Sequence, residues 1–416
     1  MLLQGGNECG IRLYRDKFRA LRFATPTFSV VDKSFYYAIM TVVSVKPRKS
    51  RARLKDLARL VSVSPATISN AYHHPERLSA TLRAKILESA DKLGYHPDPT
   101  ARGLRMQTTG TLGVVYADAL SWAFIDPPFS MFLQGVAEAT QDAHFRLLLA
   151  GATYTDHEVE PVRNAAVDGF VFYAPMMHDP RVAYVGQREL PAVLVDGEPG
   201  SGLPSVGIED ESGAFALADH LFRLGHRKLG IISMPLRPGY PIGFAEPDEG
   251  LAAFLAVRDR LAGYAAAARK HNLPWQQVAS LYVTSVNSIE QGRQAAHAIL
   301  GSTSAPTALV CLSDQLALGA LAAARELKVP VPQALSIVGY DDIPEAARTT
   351  PPLTTVHQPH AEKGRAAARL LLDQLAGRKT TSRVLPTRLV VRGSSAAPMN
   401  AARTSRRTTP GRRPRG

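Results

Sequence analysis

The 416-residue sequence predicts a small all-α helix-turn-helix headpiece followed by an α/β core of two parallel-sheet subdomains. Three observations predict it. Near the start, apolar residues recur at helical spacing in three short runs. From Thr111 onward, apolar strand-like runs alternate with helices, which implies parallel sheets covered on both faces. The charge is also uneven. Residues 46–105 hold 13 Lys and Arg against 5 Asp and Glu, and the tail from Gly393 holds six Arg and no acid, whereas 110–392 holds 24 bases against 28 acids.

Residues 1–45 read as an extension, disordered or lying before the true start, with Met40 as an alternative initiator. The apolar stretch 36–45 is short and follows Asp32 and Lys33, which makes a poor signal peptide. Residues 46–53 are a basic arm. Leu54, Leu57, Ala58, Leu60 and Val61 then recur at helical spacing. Ser64 followed by Pro65 predicts a second helix, a hydroxyl cap and then proline at the first helical position. Ile68 and Ala71 continue its apolar stripe to Tyr72. Ser79 can cap a third helix running through Leu82, Ile86, Leu87, Ala90 and Leu93. Three short helices, the first two joined by a tight turn, make 46–94 a helix-turn-helix of the DNA-reading kind. Asp98-Pro99 starts at most two further turns before Thr108. A helix this short is marginal alone, so 95–109 reads as a hinge and linker that folds on a partner.

The core spans 110–395. Strands are predicted at 112–116, 146–149, 167–173, 192–196, 228–233, 309–312 and 335–340, and helices at 129–142, 214–224, 250–271 and 317–328. That length is large for one sheet. The division is an N-subdomain of 110–226 plus 355–384 and a C-subdomain of 227–354 plus 385–395. Residues 396–416 read as a basic disordered tail. In open parallel sheets ligands sit beyond the carboxyl ends of the strands, so side chains just after strands are the contact candidates.

Several classes are excluded. No run of 18 apolar residues exists, so there is no membrane-spanning helix. Two cysteines, Cys9 and Cys311, exclude a disulfide scaffold and a multi-cysteine zinc finger, and fit a cytoplasmic protein. No phosphate-binding Gly-Lys-Ser/Thr loop, His-Glu-x-x-His or Gly-x-Ser-x-Gly occurs. Asp341-Asp342 are adjacent and would point to opposite faces. His357-Gln358-Pro359-His360 has no acidic or cysteine companion in sequence and reads as surface or turn. No enzyme, cofactor or metal is expected. Basic ends on an acidic body suggest a polyanion partner, though charge alone would also fit a solvated arm.

The motifs resemble the lac-repressor (LacI/GalR) family of bacterial transcription regulators. They are Leu54-Lys55-Asp56-Leu57-Ala58, Val63 through Asn70, and Tyr95-x-Pro97-x4-Arg102-x-Leu104 at the headpiece and hinge. In the core they are Leu224-Gly225-His226-Arg227, Arg260 through Tyr264, Ser313 through Gly319, Ser336 through Pro344, Pro352 through Thr355 and Leu389 through Gly393. The resemblance covers 54–395 in the family's order. It implies a periplasmic-binding-protein-like core, a homodimer, double-stranded operator DNA as partner, and a cytoplasmic, nucleoid-associated place of work. The core should hold a small-molecule effector, most often a sugar or sugar derivative, with a purine as the second choice.

In a helix-turn-helix the start of the second helix reaches base edges. Here those residues are Pro65, Ala66, Ser69 and Asn70. Asn can bond adenine bidentately and Ala can touch a thymine methyl. The resemblance places Ser64, Thr67 and His73 against phosphates. Pro65-Ala66 and Asn70 depart from the bulkier pair and the Arg common in the family, which changes the expected operator. In the hinge, the resemblance gives Ala101 and Arg102 to the minor groove and makes Leu104 a wedge between base steps. Gly103 weakens that short helix further. In the core, the resemblance gives Arg260 and Asp341 to the ligand. Asp196 and Ser313 also end strands, and Phe129 offers an aromatic face. Asp314 and Asp342 read as caps or structural ion-pair partners. The alternatives from other classes are a nonspecific nucleic-acid binder using the basic ends, a solute-binding protein without DNA function, and an α/β enzyme.

Overall fold

The computed structural model describes residues 52–96, 108–141, 143–151, 159–303 and 305–399. The chain separates into two compact units, Met1–Asp98 and Pro99–Gly416. Helices of eight or more residues are numbered α1–α10 and strands β1–β13.

In the first unit, α1 (Leu54–Val61), α2 (Pro65–His73) and α3 (Ala80–Leu93) surround Leu57, Val61, Ile68, Ala71, Ile86, Ala90 and Tyr95. The Arg53 backbone N–H donates to the Asp56 carboxylate at 3.0 Å, which starts α1. Ser62 at φ 60° ends it, and the Val63 N–H returns to the Ala58 carbonyl at 3.0 Å. The Ser64 hydroxyl accepts from the Thr67 N–H at 3.0 Å, and Ser79 Oγ accepts from Leu82 N–H at 3.3 Å, so both predicted caps form. Arg83 Nε donates to the Ala71 carbonyl at 3.2 Å and ties α3 to α2. Leu60 is 59% exposed and Leu93 is also exposed, so neither belongs to the apolar stripe that helical spacing assigns it.

Among the described residues, the second unit holds two large sheets and one two-stranded ladder. The first lobe has strand order β12-β5-β4-β3-β1-β2, all parallel. Its strands are β1 (Thr111–Tyr116), β2 (Arg146–Gly151), β3 (Gly169–Tyr173), β4 (Ala192–Val195), β5 (Ser205–Ile208) and β12 (Arg383–Leu385). Helices α4 (Pro127–Gln141) and α10 (His360–Leu375) pack side by side against it, and α5 (Pro180–Gln187) lies between β3 and β4 in sequence. The pair α4 and α10 approaches so closely that a Cβ on Gly135 would sit 1.9 Å from the Ala361 carbonyl oxygen, and one on Gly364 2.0 Å from that of Phe132.

The second lobe has order β10-β9-β6-β8-β7, with β7 antiparallel to β8 and the rest parallel. Its strands are β6 (Leu229–Ser233), β7 (Gly243–Ala245), β8 (Ala279–Val283), β9 (Ala308–Cys311) and β10 (Ser336–Val338). Helices α6 (Asp210–Arg223), α7 (Leu255–Lys270), α8 (Ile289–Leu300) and α9 (Asp314–Glu326) cover it. A two-stranded antiparallel ladder, β11 (Thr355–His357) with β13 (Arg388–Val390), accompanies the crossovers.

The lobe boundaries differ from those expected. Helix α6 buries Ala214, Leu217, Leu221 and Phe222 in one core with Ile231, Leu261 and Tyr264, so the chain leaves the first lobe after β5 and not at 226. Val356 of β11 lies in that same core, so the return falls after β11, at Gln358 and Pro359, and not at 355. The third crossing lies between β12 and β13, since Leu389 packs against the second-lobe core. Helical periodicity marks a helix as amphipathic but does not say which sheet it covers. The stretch expected to be mostly helical at 250–271 is so: a short 3₁₀ turn, Glu249–Leu251, precedes α7, which fills Leu255–Lys270.

Candidate functional site

In the first unit, α2 presents its capped N-terminus. Ser64, Pro65 and Ala66 are exposed, and Thr67, Ser69, Asn70 and His73 are half-buried. Ser64 Oγ and Thr67 Oγ1 lie 2.8 Å apart. Thr67 is therefore held toward the same end of the helix as the cap, where backbone N–H groups and the helix dipole favour an anion. Ile68 and Ala71 face inward. This separation leaves Ser64, Pro65, Ala66, Ser69 and Asn70 outside the packed stripe. The hinge candidates Ala101, Arg102 and Leu104, together with Pro97, lie outside the described residues.

In the second unit, a cavity of about 490 Å³ opens between the two lobes. Its lining comes from the ends of β1, β3, β4 and β6 and from the crossing segment at Gln358. The second lobe contributes Arg260 and Asp341. Arg260 Nε donates to Asp210 Oδ1 at 2.8 Å and its Nη1 to the Leu312 carbonyl at 2.5 Å. Its guanidinium carbon lies 3.8 Å from the Tyr340 ring centroid, and Asp341 Oδ1 is 3.6 Å from Nη1. Burial opposes its charge, but Asp210 and Asp341 outweigh that and raise its pKa further. Arg260 is thus a fixed, charged fork at the cavity wall.

Asp341 follows β10 at φ 120°, and Asp342 follows at φ 57°. Two successive non-glycine residues at positive φ are uncommon and sit at strained, functional positions in many folds. The bend sends Asp341 to the cavity and Asp342 away from it. Asp342 meets Arg392 Nη2 at 2.6 Å and His357 Nδ1 at 3.0 Å, and Asp314 accepts from Ile343 N–H at 2.9 Å and the Thr355 hydroxyl at 2.6 Å. Both are structural partners, as expected. Burial pushes the Asp341 carboxyl up to about 7 against the opposing pull of Arg260.

The first lobe contributes Asp196, which follows β4 at φ 52°. Its Oδ2 accepts from Lys363 Nζ at 2.5 Å, and burial raises its pKa despite that ammonium. Lys363 also donates to Gln358 Oε1 at 2.7 Å, and Gln358 Nε2 donates to Asp341 Oδ1 at 2.5 Å. Asp196, Lys363, Gln358, Asp341, Arg260 and Asp210 therefore form one buried chain of polar contacts running from the first lobe to the second. Asp126 sits just before α4 and accepts from the Tyr116 hydroxyl at 2.9 Å; burial lifts it to about 6. The rim at the other side carries Arg237 over the Tyr240 ring, 5.4 Å to the centroid.

Two expected contacts and one motif are corrected. Phe129 is fully buried, packed on Tyr116, Phe132 and Tyr173, and does not line the cavity. Helix α4 begins at Pro127, and that phase turns Phe129 inward; Tyr116 and Tyr173 supply the aromatic faces instead. Ser313 is fully buried and caps α9, accepting from the Leu316 N–H at 3.1 Å. Its hydroxyl donates to Asn287 Oδ1 at 2.5 Å, and Asn287 lines the cavity. The segment 357–360 is not a surface turn. His357 meets Asp342, Gln358 bonds Asp341, and buried His360 Nε2 contacts the Asp341 carbonyl oxygen at 3.0 Å. Tyr116, Tyr173 and Gln358 all end strands, so the strand-end rule finds them once β1, β3 and β11 are placed. Asp126 and Lys363 carry no such signal.

Among the described residues, no cluster of three or more His, Cys, Asp or Glu side chains could hold a metal ion, and no helix is long and apolar enough to cross a membrane.

Comparison with known proteins agrees with both units. Residues 53–98 match the family model of bacterial regulatory proteins of the lacI family, and residues 218–395 match a periplasmic binding protein-like domain. An HTH-type transcriptional regulator of Mycolicibacterium smegmatis is 37% identical over 364 residues, covering 84% of this chain and 97% of that protein. The HTH-type transcriptional repressor CytR of Escherichia coli K12 is 31% identical over 366 residues, covering 85% and 99%. Among solved structures, a complex of the transcriptional regulator CelR with cellobiose has a TM-score of 0.60 at 26% identity, covering 83% of this chain and all of that one.

Proposed function

This chain belongs to the lacI family of bacterial regulatory proteins, DNA-binding transcription regulators and not enzymes, and on that premise we propose that it is a ligand-responsive repressor. It works in the cytoplasm on the nucleoid as a homodimer bound to a pseudo-palindromic operator. Ser64, Thr67 and His73 meet phosphates, and Pro65, Ala66, Ser69 and Asn70 face base edges. Ala101, Arg102 and Leu104 enter the minor groove at the centre, with Leu104 as the wedge. Two-fold symmetry of the protein matches that of the site.

A small polyhydroxylated molecule in the cleft, a sugar or sugar derivative, sets the affinity for DNA. Arg260, Asp341 and Asp196 hold it, flanked by Tyr116 and Tyr173. The observation that carries this reading is the polar chain through Gln358, because both lobes and a crossing segment meet the ligand at one place. A ligand that prefers one angle between the lobes shifts the population toward it. The repressor name of CytR and the cellobiose bound by CelR support the reading.

The test is affinity selection of sheared host DNA on the purified protein, read by sequencing, with and without added sugars. A sharp pseudo-palindrome whose recovery responds to one sugar is expected. Diffuse, salt-sensitive recovery with no motif overturns sequence-specific repression in favour of nonspecific binding by the basic ends.

A further inference from the structure

The electrostatics of the cleft narrow the class of ligand; this inference rests on the effector reading above. Asp118, Asp126, Asp196 and Asp341 all line the cavity. The two buried cations there are already engaged. Lys363 is held by Asp196 and Gln358, and Arg260 by Asp210 with Asp341 beyond it. Arg237 is exposed at the rim against Tyr240. Two buried carboxylate oxygens, Asp126 Oδ1 and Asp196 Oδ1, have no hydrogen-bond partner among the described residues. Asp196 as a whole is 9% exposed. An unpaired buried acceptor carries a desolvation penalty that a donor from the ligand would remove.

We propose that the cleft takes a neutral or amino-bearing polyol whose donors complete Asp126 and Asp196, and that it rejects phosphorylated and carboxylated ligands. An anionic group would meet carboxylates on the first-lobe wall and find no uncommitted buried cation among the described residues there. Like charges held close in a low-dielectric cleft repel strongly. A hydroxyl or ammonium finds acceptors, and the faces of Tyr116 and Tyr173 suit either a sugar ring or a cation. Asp126 is the specificity-determining residue in this scheme, since Asp196 is already half-satisfied by an ammonium, whereas Asp126 accepts only from neutral donors, the Tyr116 hydroxyl and the Phe129 backbone N–H.

The full-length protein is titrated calorimetrically, and its melting followed, with matched sets of probes: glucose, galactose, ribose and cellobiose; glucosamine and galactosamine; glucose 6-phosphate, ribose 5-phosphate and glucuronate. Binding only among the neutral and amino compounds is expected, with the anionic counterpart of any binder weaker by roughly 100-fold. A phosphorylated or carboxylated probe that binds as well as its parent overturns the proposal while leaving the effector site standing. Silence from every probe in all three sets removes the sugar-effector reading and this inference with it. In Asp126→Asn, which keeps shape and drops the charge, discrimination against the anionic partner should fall by about tenfold. Unchanged discrimination in a variant that still binds the neutral probe removes Asp126 from the role.

Discussion

Gln358 Nε2 donates to Asp341 Oδ1 at 2.5 Å, joining the residue where the chain crosses between lobes to the carboxylate at the end of β10. The other end of the same amide accepts from Lys363 at 2.7 Å. Gln358 therefore links the second-lobe wall to the first-lobe core, and its loss should uncouple the two. Gln358→Leu keeps the volume and removes both bonds. The expected result is weaker effector binding by about tenfold, with operator affinity in the absence of effector nearly unchanged. Equal loss of both would show a fold defect instead.

Lys363 is 1% exposed and its ammonium is shared between Asp196 and Gln358. Replacing it with methionine leaves Asp196 buried without its cation. Breaking a buried pair from one side typically destabilises by about 3–5 kcal/mol, whereas neutralising both partners recovers much of the loss. Denaturant unfolding of Lys363→Met should show a drop of that order, and Lys363→Met with Asp196→Asn should regain most of it. Failure of the double variant to recover would mean that Lys363 acts through packing.

The Asp126 carboxyl titrates at about 6 in the folded chain because it is buried, against a usual value of 3.8. Between those values the folded chain keeps a proton that the unfolded chain has released. The stability this group adds is therefore full at low pH and lost as pH rises through 6. Above it, the wild-type chain holds a buried charge that Asp126→Asn does not. The stability of the variant relative to wild type should thus be greater at pH 8 than at pH 5, by up to about 1.4 kcal/mol, less whatever solvent in the cleft screens. Comparing the two proteins cancels the opposite trend from His360, which burial holds down at about 3. A difference that does not change with pH would place Asp126 in water.

What the sequence reveals of the site follows from which physics is local. Ser64-Pro65 and Ser79 are visible as caps because a cap is a contact across three residues. Arg260, Asp196 and Asp341 are visible because they stand in recognisable blocks or after apolar strands. Lys363 is invisible, since a lysine amid Gly, Arg and Ala on a helix reads as solvated, and only the docking of α10 on the first sheet buries it. Phe129 fails for the converse reason. Its composition fits a stacking face, but a two-residue difference in where α4 begins rotates it into the core. The His357–His360 segment misleads because its acidic partners lie 15 or more residues away in the chain.

On the proposed reading Ser64 has two roles that one substitution can separate. Its hydroxyl caps α2, and the same atom lies 2.8 Å from the Thr67 hydroxyl at the exposed helix start, where a DNA phosphate would dock. Ser64→Ala removes the cap and should lower headpiece stability by about 1 kcal/mol, weakening operator binding as well. That result alone does not distinguish the roles. Ser64→Asp does, because aspartate is as good a cap as serine and its charge suits a helix N-terminus. It should leave the headpiece as stable as wild type. Beside a phosphate, however, the same charge repels, so operator affinity should fall by about tenfold or more and the loss should shrink as salt is raised. Thermal unfolding of the 46–98 segment within the full chain, set beside binding isotherms at two salt concentrations, reads both effects. A Ser64→Asp protein that is stable and binds its operator as wild type would show that Ser64 caps and does nothing more.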